Sequence, residues 1–256
     1  MHSMVLTLMA TFALALIPDA LGQTPIRPPG ARWVITPPPG WKLAPQSVVD
    51  SMNLERDSED PDREDFRYVL KFDPEGSLGV GLPYIAVEWT DVPEFATCNW
   101  SDIGDYWGSE SFDPAWASLP LSRLVEKIPD QASLLDESKG RLYHRWDEPG
   151  GAPNGKTLRA VGVVVLTSNG FAEVCLYDKA EENNRHVAAL EKFANTLALD
   201  SGAAFVPGPG LPRNAPPSHR TNSSFRFPFR FGIFGLGGLG GVTLLVLIVR
   251  KVLQAD

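Results

Sequence analysis

This sequence has few cysteines, few histidines and none of the short signatures that announce a reaction. Cys98 and Cys175 are the two cysteines in 256 residues. That count excludes a disulfide scaffold and a CxxC knuckle; it leaves one bridge in an exported protein, or two buried thiols. The histidines are His2, His144, His186 and His219, too scattered to form a ligand set. GxSxG, HExxH and the phosphate-binding P-loop are all missing, which removes the enzyme classes recognised by them. The sequence therefore nominates no catalytic residue, no metal ligand and no cofactor. A lone histidine in a strand (His144) or near the start of a helix (His186) reads as packing.

Positive charge is also short where it would matter for nucleic acid. Residues 23–205 carry 29 Asp and Glu against 17 Lys and Arg, a net −12. A domain of that sign lacks the basic face that phosphate backbones require. The expected partners are another protein and a lipid bilayer, with no nucleic acid.

What is present begins with two apolar runs. "MVLTLMATFALALI" (4–17) is fourteen residues long, short for a span but right for a signal-peptide core. Ala20-Leu21-Gly22 then suits cleavage before Gln23, although no Lys or Arg precedes the run. The second run, Phe231 to Val249, has nineteen residues without a charge and stops at Arg250-Lys251. At ~1.5 Å per residue it covers about 28 Å, close to the hydrocarbon core of a bilayer. It is read as a transmembrane helix, with one GxxxG pair at Gly237 and Gly241. A signal peptide places the domain outside and the basic end inside. Arg213, Arg220, Arg226 and Arg230 on the other flank argue the reverse by the positive-inside rule. A processed C-terminal sorting signal fits the same Gly-rich, basic-ended composition. The domains expected are thus 1–22 signal peptide, 23–205 extracytoplasmic domain, 206–230 Pro/Arg-rich disordered linker, 231–249 span and 250–256 cytoplasmic tail.

Inside the domain, Arg32 to Thr36, Tyr68 to Asp73, Tyr84 to Asp91 and "GRLYHRWDE" read as strands. A short helix is expected around Leu121 to Lys127. Thr157 to Thr167 and Phe171 to Asp178 flank Ser168-Asn169-Gly170, where the Asn-Gly pair predicts a hairpin with positive φ at both residues. A helix should follow at once, capped by Asp178 with Glu181 completing a capping box. Val187, Leu190, Phe193, Ala194 and Leu197 form its apolar stripe. These elements make an α+β fold, an antiparallel sheet with helices packed on it.

The opening "WVITPPPGWKL" (a strand, a proline turn, Gly40-Trp41) and the closing "ALEKFANTLAL" helix are similar to those of Mog1/PsbP-like α/β-sandwich domains. The resemblance covers roughly Arg32 to Leu199. It implies no shared catalytic residues, and it implies binding and assembly roles.

Two stretches have the composition of a binding surface. "ERDSEDPDRED" (55–65) concentrates carboxylates that calcium favours, but lacks the spacing of a calcium loop. "CNWSDIGDYWGSESFDPAW" (98–116) sets Trp100, Tyr106, Trp107 and Trp116 among Asp102 and Asp105. Aromatics beside carboxylates suit a partner surface, or simply the anchoring of a long loop. The leading reading is a membrane-tethered extracytoplasmic binding or assembly module. The alternative is an exported hydrolase using carboxylates of 98–116 as acid and base.

Overall fold

The computed structural model describes residues 23–59, 66–77 and 81–211. The signal-peptide run and the apolar run 231–249 lie outside the described residues. No described helix is long and apolar enough to cross a membrane.

The frame is one sheet of eight strands. In chain order the first two strands are β1 (Trp33–Val34) and β2 (Trp41–Leu43), followed by helix α1 (Gln46–Glu59). Next come β3 (Phe66–Pro74), β4 (Tyr84–Asp91), helix α2 (Trp100–Trp107), β5 (Glu110–Ser111) and the short helix α3 (Leu121–Leu124). The chain closes with β6 (Ala132–Asp136), β7 (Arg141–Ala152), β8 (Lys156–Thr167), β9 (Gly170–Lys179), α4 (Asn183–Thr196) and β10 (Ala198–Leu199). The sheet order is β2-β3-β4-β9-β8-β7-β6-β5, antiparallel except for the β5–β6 pair, and β1 pairs with β10 apart from it. The described residues are therefore an α+β fold with helices packed on an antiparallel sheet.

Both faces of the central strands are covered, which explains why β8 reads "VGVVVLT" rather than a clean alternation. Val161, Val163 and Val165 join Ala172, Val174 and Leu176 of β9 on the first face. There α4 lays Val187, Leu190 and Phe193, all fully buried, across the sheet. The stripe read from the sequence is this contact. Leu158 and Ala160 face the other way, beneath Val49 of α1. Val164, Leu166 and Phe171 meet Ile103 and Trp107 of α2 on that same second face.

Two local expectations are corrected. The β8–β9 loop is Ser168-Asn169, with Thr167 opposite Gly170, so the turn sits one residue early. Gly170 alone takes positive φ (152°), and a Cβ there would come 2.0 Å from the Thr90 carbonyl oxygen. The glycine is required by the passing β4 backbone as much as by the turn. The Asp178–Glu181 capping box is not formed either. Asp178 stays in β9 opposite Arg159, and α4 starts after Glu182 without a side-chain cap. Glu181 pairs with Lys156 instead.

Helix α1 was not expected from the sequence. It takes Glu55 to Glu59 of the acidic stretch into a helix, and Asp57 there is bound by Arg67 at 2.7 Å. The domain also continues past the expected boundary at Phe205. Phe205 packs on Trp100, and Gly208 and Gly210 donate backbone N–H groups to the Cys98 and Thr97 carbonyls. Leu211 N–H donates to the Asp102 carboxylate at 3.0 Å. A Cβ at Gly208 would lie 2.6 Å from the Thr97 oxygen, so the strap can run this close only as glycine.

Candidate functional site

The aromatic-acidic stretch 98–116 does not stay on one surface. It wraps around the β5 edge of the sheet. Its first half forms α2, whose capping box joins the Asn99 side chain to the Asp102 N–H and the Asp102 carboxylate to the Asn99 N–H. Trp107 is buried against Phe95 and Phe171, Tyr106 packs edge-on to Phe95, and Trp100 packs on Phe205. Asp105 remains exposed on the helix. The second half crosses to the first face. There Asp113 caps a 3-10 turn at Pro114–Trp116, and Phe112 and Trp116 lie against the core. The structure thus brings Trp100, Asp102, Tyr106 and Trp107 together on the second face, and carries Trp116 elsewhere. Asp102 and Asp113 do not converge.

Cys98 and Cys175 do not form the bridge that two cysteines allowed. Both are free and buried, Cys98 under α2 and Cys175 in the cluster beneath α1. Burial pushes the Cys98 thiol up to about 11, aided by the Asp102 and Glu94 charges. Cys175 is raised further by burial, with Glu173 and Glu88 adding to it. Burial favours the protonated form of both thiols.

The second face also holds a row of polar groups withdrawn from water. Glu88 and Glu173 stand directly opposite each other on β4 and β9, both buried. His144 Nε2 lies 2.7 Å from the Glu173 carboxylate. It reaches that partner across β8 because Gly162 leaves the space: a Cβ there would lie 1.8 Å from Nε2. Tyr177 donates to Glu88 at 3.2 Å, and Lys71 pairs with Asp73. On the first face, His186, near the start of α4, bonds the fully buried Asp178 through Nδ1 at 2.6 Å. Burial raises the Asp178 carboxyl above its usual range, outweighing His186.

Trp116 borders a groove of about 690 Å³ on the first face. Phe112, Trp116 and Tyr143 supply its aromatic wall; Phe112 and Trp116 meet edge to face at 6.1 Å, and Phe112 lies 6.0 Å from Tyr143. Lys139 enters from the β6–β7 turn, Arg141 from the start of β7, and Glu191 and Asn195 from α4. Arg141 donates to Asn195 Oδ1 at 3.0 Å and to the Ala194 carbonyl at 3.2 Å. The Tyr143 hydroxyl is raised by burial and held back by Arg141. Glu191 accepts from Leu121 N–H through Oε1 at 3.2 Å. Among the described residues no metal-binding group of His, Cys, Asp and Glu is assembled.

Arg141, Tyr143, Glu191 and Asn195 were missed in the sequence. The alternation in "RLYHRW" puts Arg141 and Tyr143 on one face of a strand, but α4 lies some fifty residues away in the chain. Topology brings them together, and no local pattern could.

No protein-family model matches the chain, and no curated protein sequence matches it. Among solved structures it is similar to one described as the crystal structure of LpqN involved in cell envelope biogenesis of Mycobacterium tuberculosis. That likeness spans 69% of this chain and 90% of that one, at 14% identity and a TM-score of 0.27. It is a weak structural resemblance, and it does not reach the Mog1/PsbP-like class specifically.

Proposed function

We propose that this chain is a membrane-tethered, extracytoplasmic binding or assembly module whose binding site is the groove beside Trp116, and that it has no catalytic activity of its own. The observation that carries the reading is the fate of the carboxylates in 98–116. A hydrolytic pair must face one substrate from two sides at a defined separation. Asp102 is committed to a helix cap and the strap, and Asp113 caps a turn around the edge of the sheet. The groove, by contrast, combines an aromatic wall with a few convergent polar groups, the usual make-up of a recognition site. The apolar runs 4–17 and 231–249 support export and tethering, and Pro-rich sequence follows the strap.

The test uses the full chain in its membrane. A photo-crosslinking side chain at position 116 should capture a partner, and one at the exposed Asp105 position should not. Equal capture at both positions, or none at 116, removes the groove from the reading. Release of the chain by alkaline carbonate removes the tether.

A further inference from the structure

We infer that the groove binds the C-terminal end of a peptide chain bearing an apolar or aromatic last residue, with Arg141 holding the terminal carboxylate. This rests on the reading of the groove as a binding site and names its occupant.

The argument starts from Arg141. The other arginines at least half-buried among the described residues are Arg56, Arg67, Arg145 and Arg159, and each is ion-paired to Asp57 or Asp147. Arg141 is half-buried yet makes no ion pair among the described residues. Its acceptors are an amide oxygen and a backbone carbonyl, both neutral. In a domain with a net −12 charge, Arg141 thus differs from those four half-buried arginines in lacking a carboxylate partner among the described residues. The two neutral contacts fix the guanidinium without neutralising it, and a guanidinium has five donors, so some remain for a ligand. A planar fork held in this way matches a carboxylate.

The rest of the groove narrows the class. Lys139 stands at the rim, already shared with the Ala117 carbonyl and Asp136. Glu191 lies in the same groove, so a second negative charge on the ligand would meet repulsion. That favours a monoanion over a phosphate dianion. Glu191 Oε2 and Asn195 can take an N–H, and Trp116, Phe112 and Tyr143 can flank an apolar side chain. A carboxylate, an amide N–H and an apolar side chain on neighbouring atoms are the features of a peptide C-terminus. The same head group occurs in a free N-acyl amino acid. We commit to the chain end because the lining includes exposed Ala117, Ser118 and Pro120, which leave the groove open along its length for a continuing backbone.

The experiment is a titration of the full chain in detergent micelles with three probes. They are N-acetyl-Gly-Ser-Gly-Phe as the free acid, the same peptide as its C-terminal amide, and N-acetylphenylalanine. The free acid should bind saturably and about tenfold or more tighter than the amide, the worth of one charged hydrogen bond. Arg141→Gln should erase that acid-over-amide preference, and Trp116→Ala should weaken acid and amide alike. The acid/amide ratio on the unaltered chain needs no variant, so a poorly folded Arg141→Gln leaves the inference testable. Equal binding of acid and amide overturns the carboxylate contact. N-acetylphenylalanine binding as tightly as the peptide acid overturns the chain-end source. If no probe binds while position 116 still captures a partner, the peptide-end inference falls and the binding reading survives.

Discussion

Two polar regions of this domain treat their charges in opposite ways. On the second face His144, Glu173, Glu88, Tyr177, Lys71 and Asp73 are sealed in, and the bonds drawn between them stay within the domain. On the first face, beside the aliphatic core under α4, Arg141 is open to a groove and held by neutral acceptors. A buried charge with an internal partner belongs to the architecture, because removing either member leaves the other stranded. A fixed charge without a counter-ion at an open groove is free to meet something from outside. Polarity alone does not separate the two regions; the partner list does.

The comparison breaks first at His144. Its replacement by leucine should strand the Glu173 carboxylate and lower stability by about 3–5 kcal/mol. Denaturant unfolding of the purified chain measures this, and a loss under ~1 kcal/mol would mean that Glu173 is satisfied without the imidazole. Replacing both His144 and Glu173 with leucine should recover most of that loss if the pair is architectural.

Gly162→Ala comes next. A methyl placed on the imidazole must displace His144 or bend β8, an overpacking cost of about 1–3 kcal/mol. The same substitution in a His144→Ala background should cost less, and equal costs in both backgrounds would separate Gly162 from the pair.

Asp147 gives a pH-dependent effect of intermediate size. Burial alone would raise its carboxyl, but Arg159 and Arg145, each at 2.7 Å, hold it below the usual value of 3.8. A depressed folded value contributes stability that is present above pH 3.8 and lost as pH falls through the folded value. Arg159→Leu should therefore be less stable than the parent at neutral pH, with the difference shrinking as pH falls below 3.8. A difference that persists unchanged at pH 2 would assign the effect to lost packing.

The smallest effect sharpens the contrast. Arg141→Leu should change stability by less than about 1 kcal/mol, since no buried carboxylate is left behind. Thermal unfolding checks it. A loss as large as that of His144→Leu would make Arg141 part of the architecture and remove the distinction between the two regions.

How much of this was legible in the sequence follows from the range of each signal. The α4 stripe and the β8–β9 hairpin rest on neighbours within a few residues, and both formed. Their edges shifted where a distant element intervened. The turn moved because Gly170 must pass the Thr90 carbonyl, and the helix began late because Asp178 is held in the sheet and bonds His186. Helix α1 was hidden because its positions show little periodic contrast: Leu54 is exposed, while Arg56 is buried. The stretch 98–116 looked like one surface because sequence cannot show a chain turning around a sheet edge. The groove lay further out of reach, since Arg141 and Asn195 meet only after β8 and β9 have been laid down between them.

The strap from Ala203 to Leu211 sets how the domain would bear load. A pull on the chain beyond residue 211 reaches the Leu211–Asp102 bond first, then Gly210 and Gly208 on their carbonyls, and only then Phe205 on Trp100. The bonds would open in sequence, as in an unzipping seam, each resisting with about 1 kcal/mol. Tension would thus release several residues of the strap before it reached the sheet. The glycines that permit the close approach also make this seam the mechanical fuse of the domain.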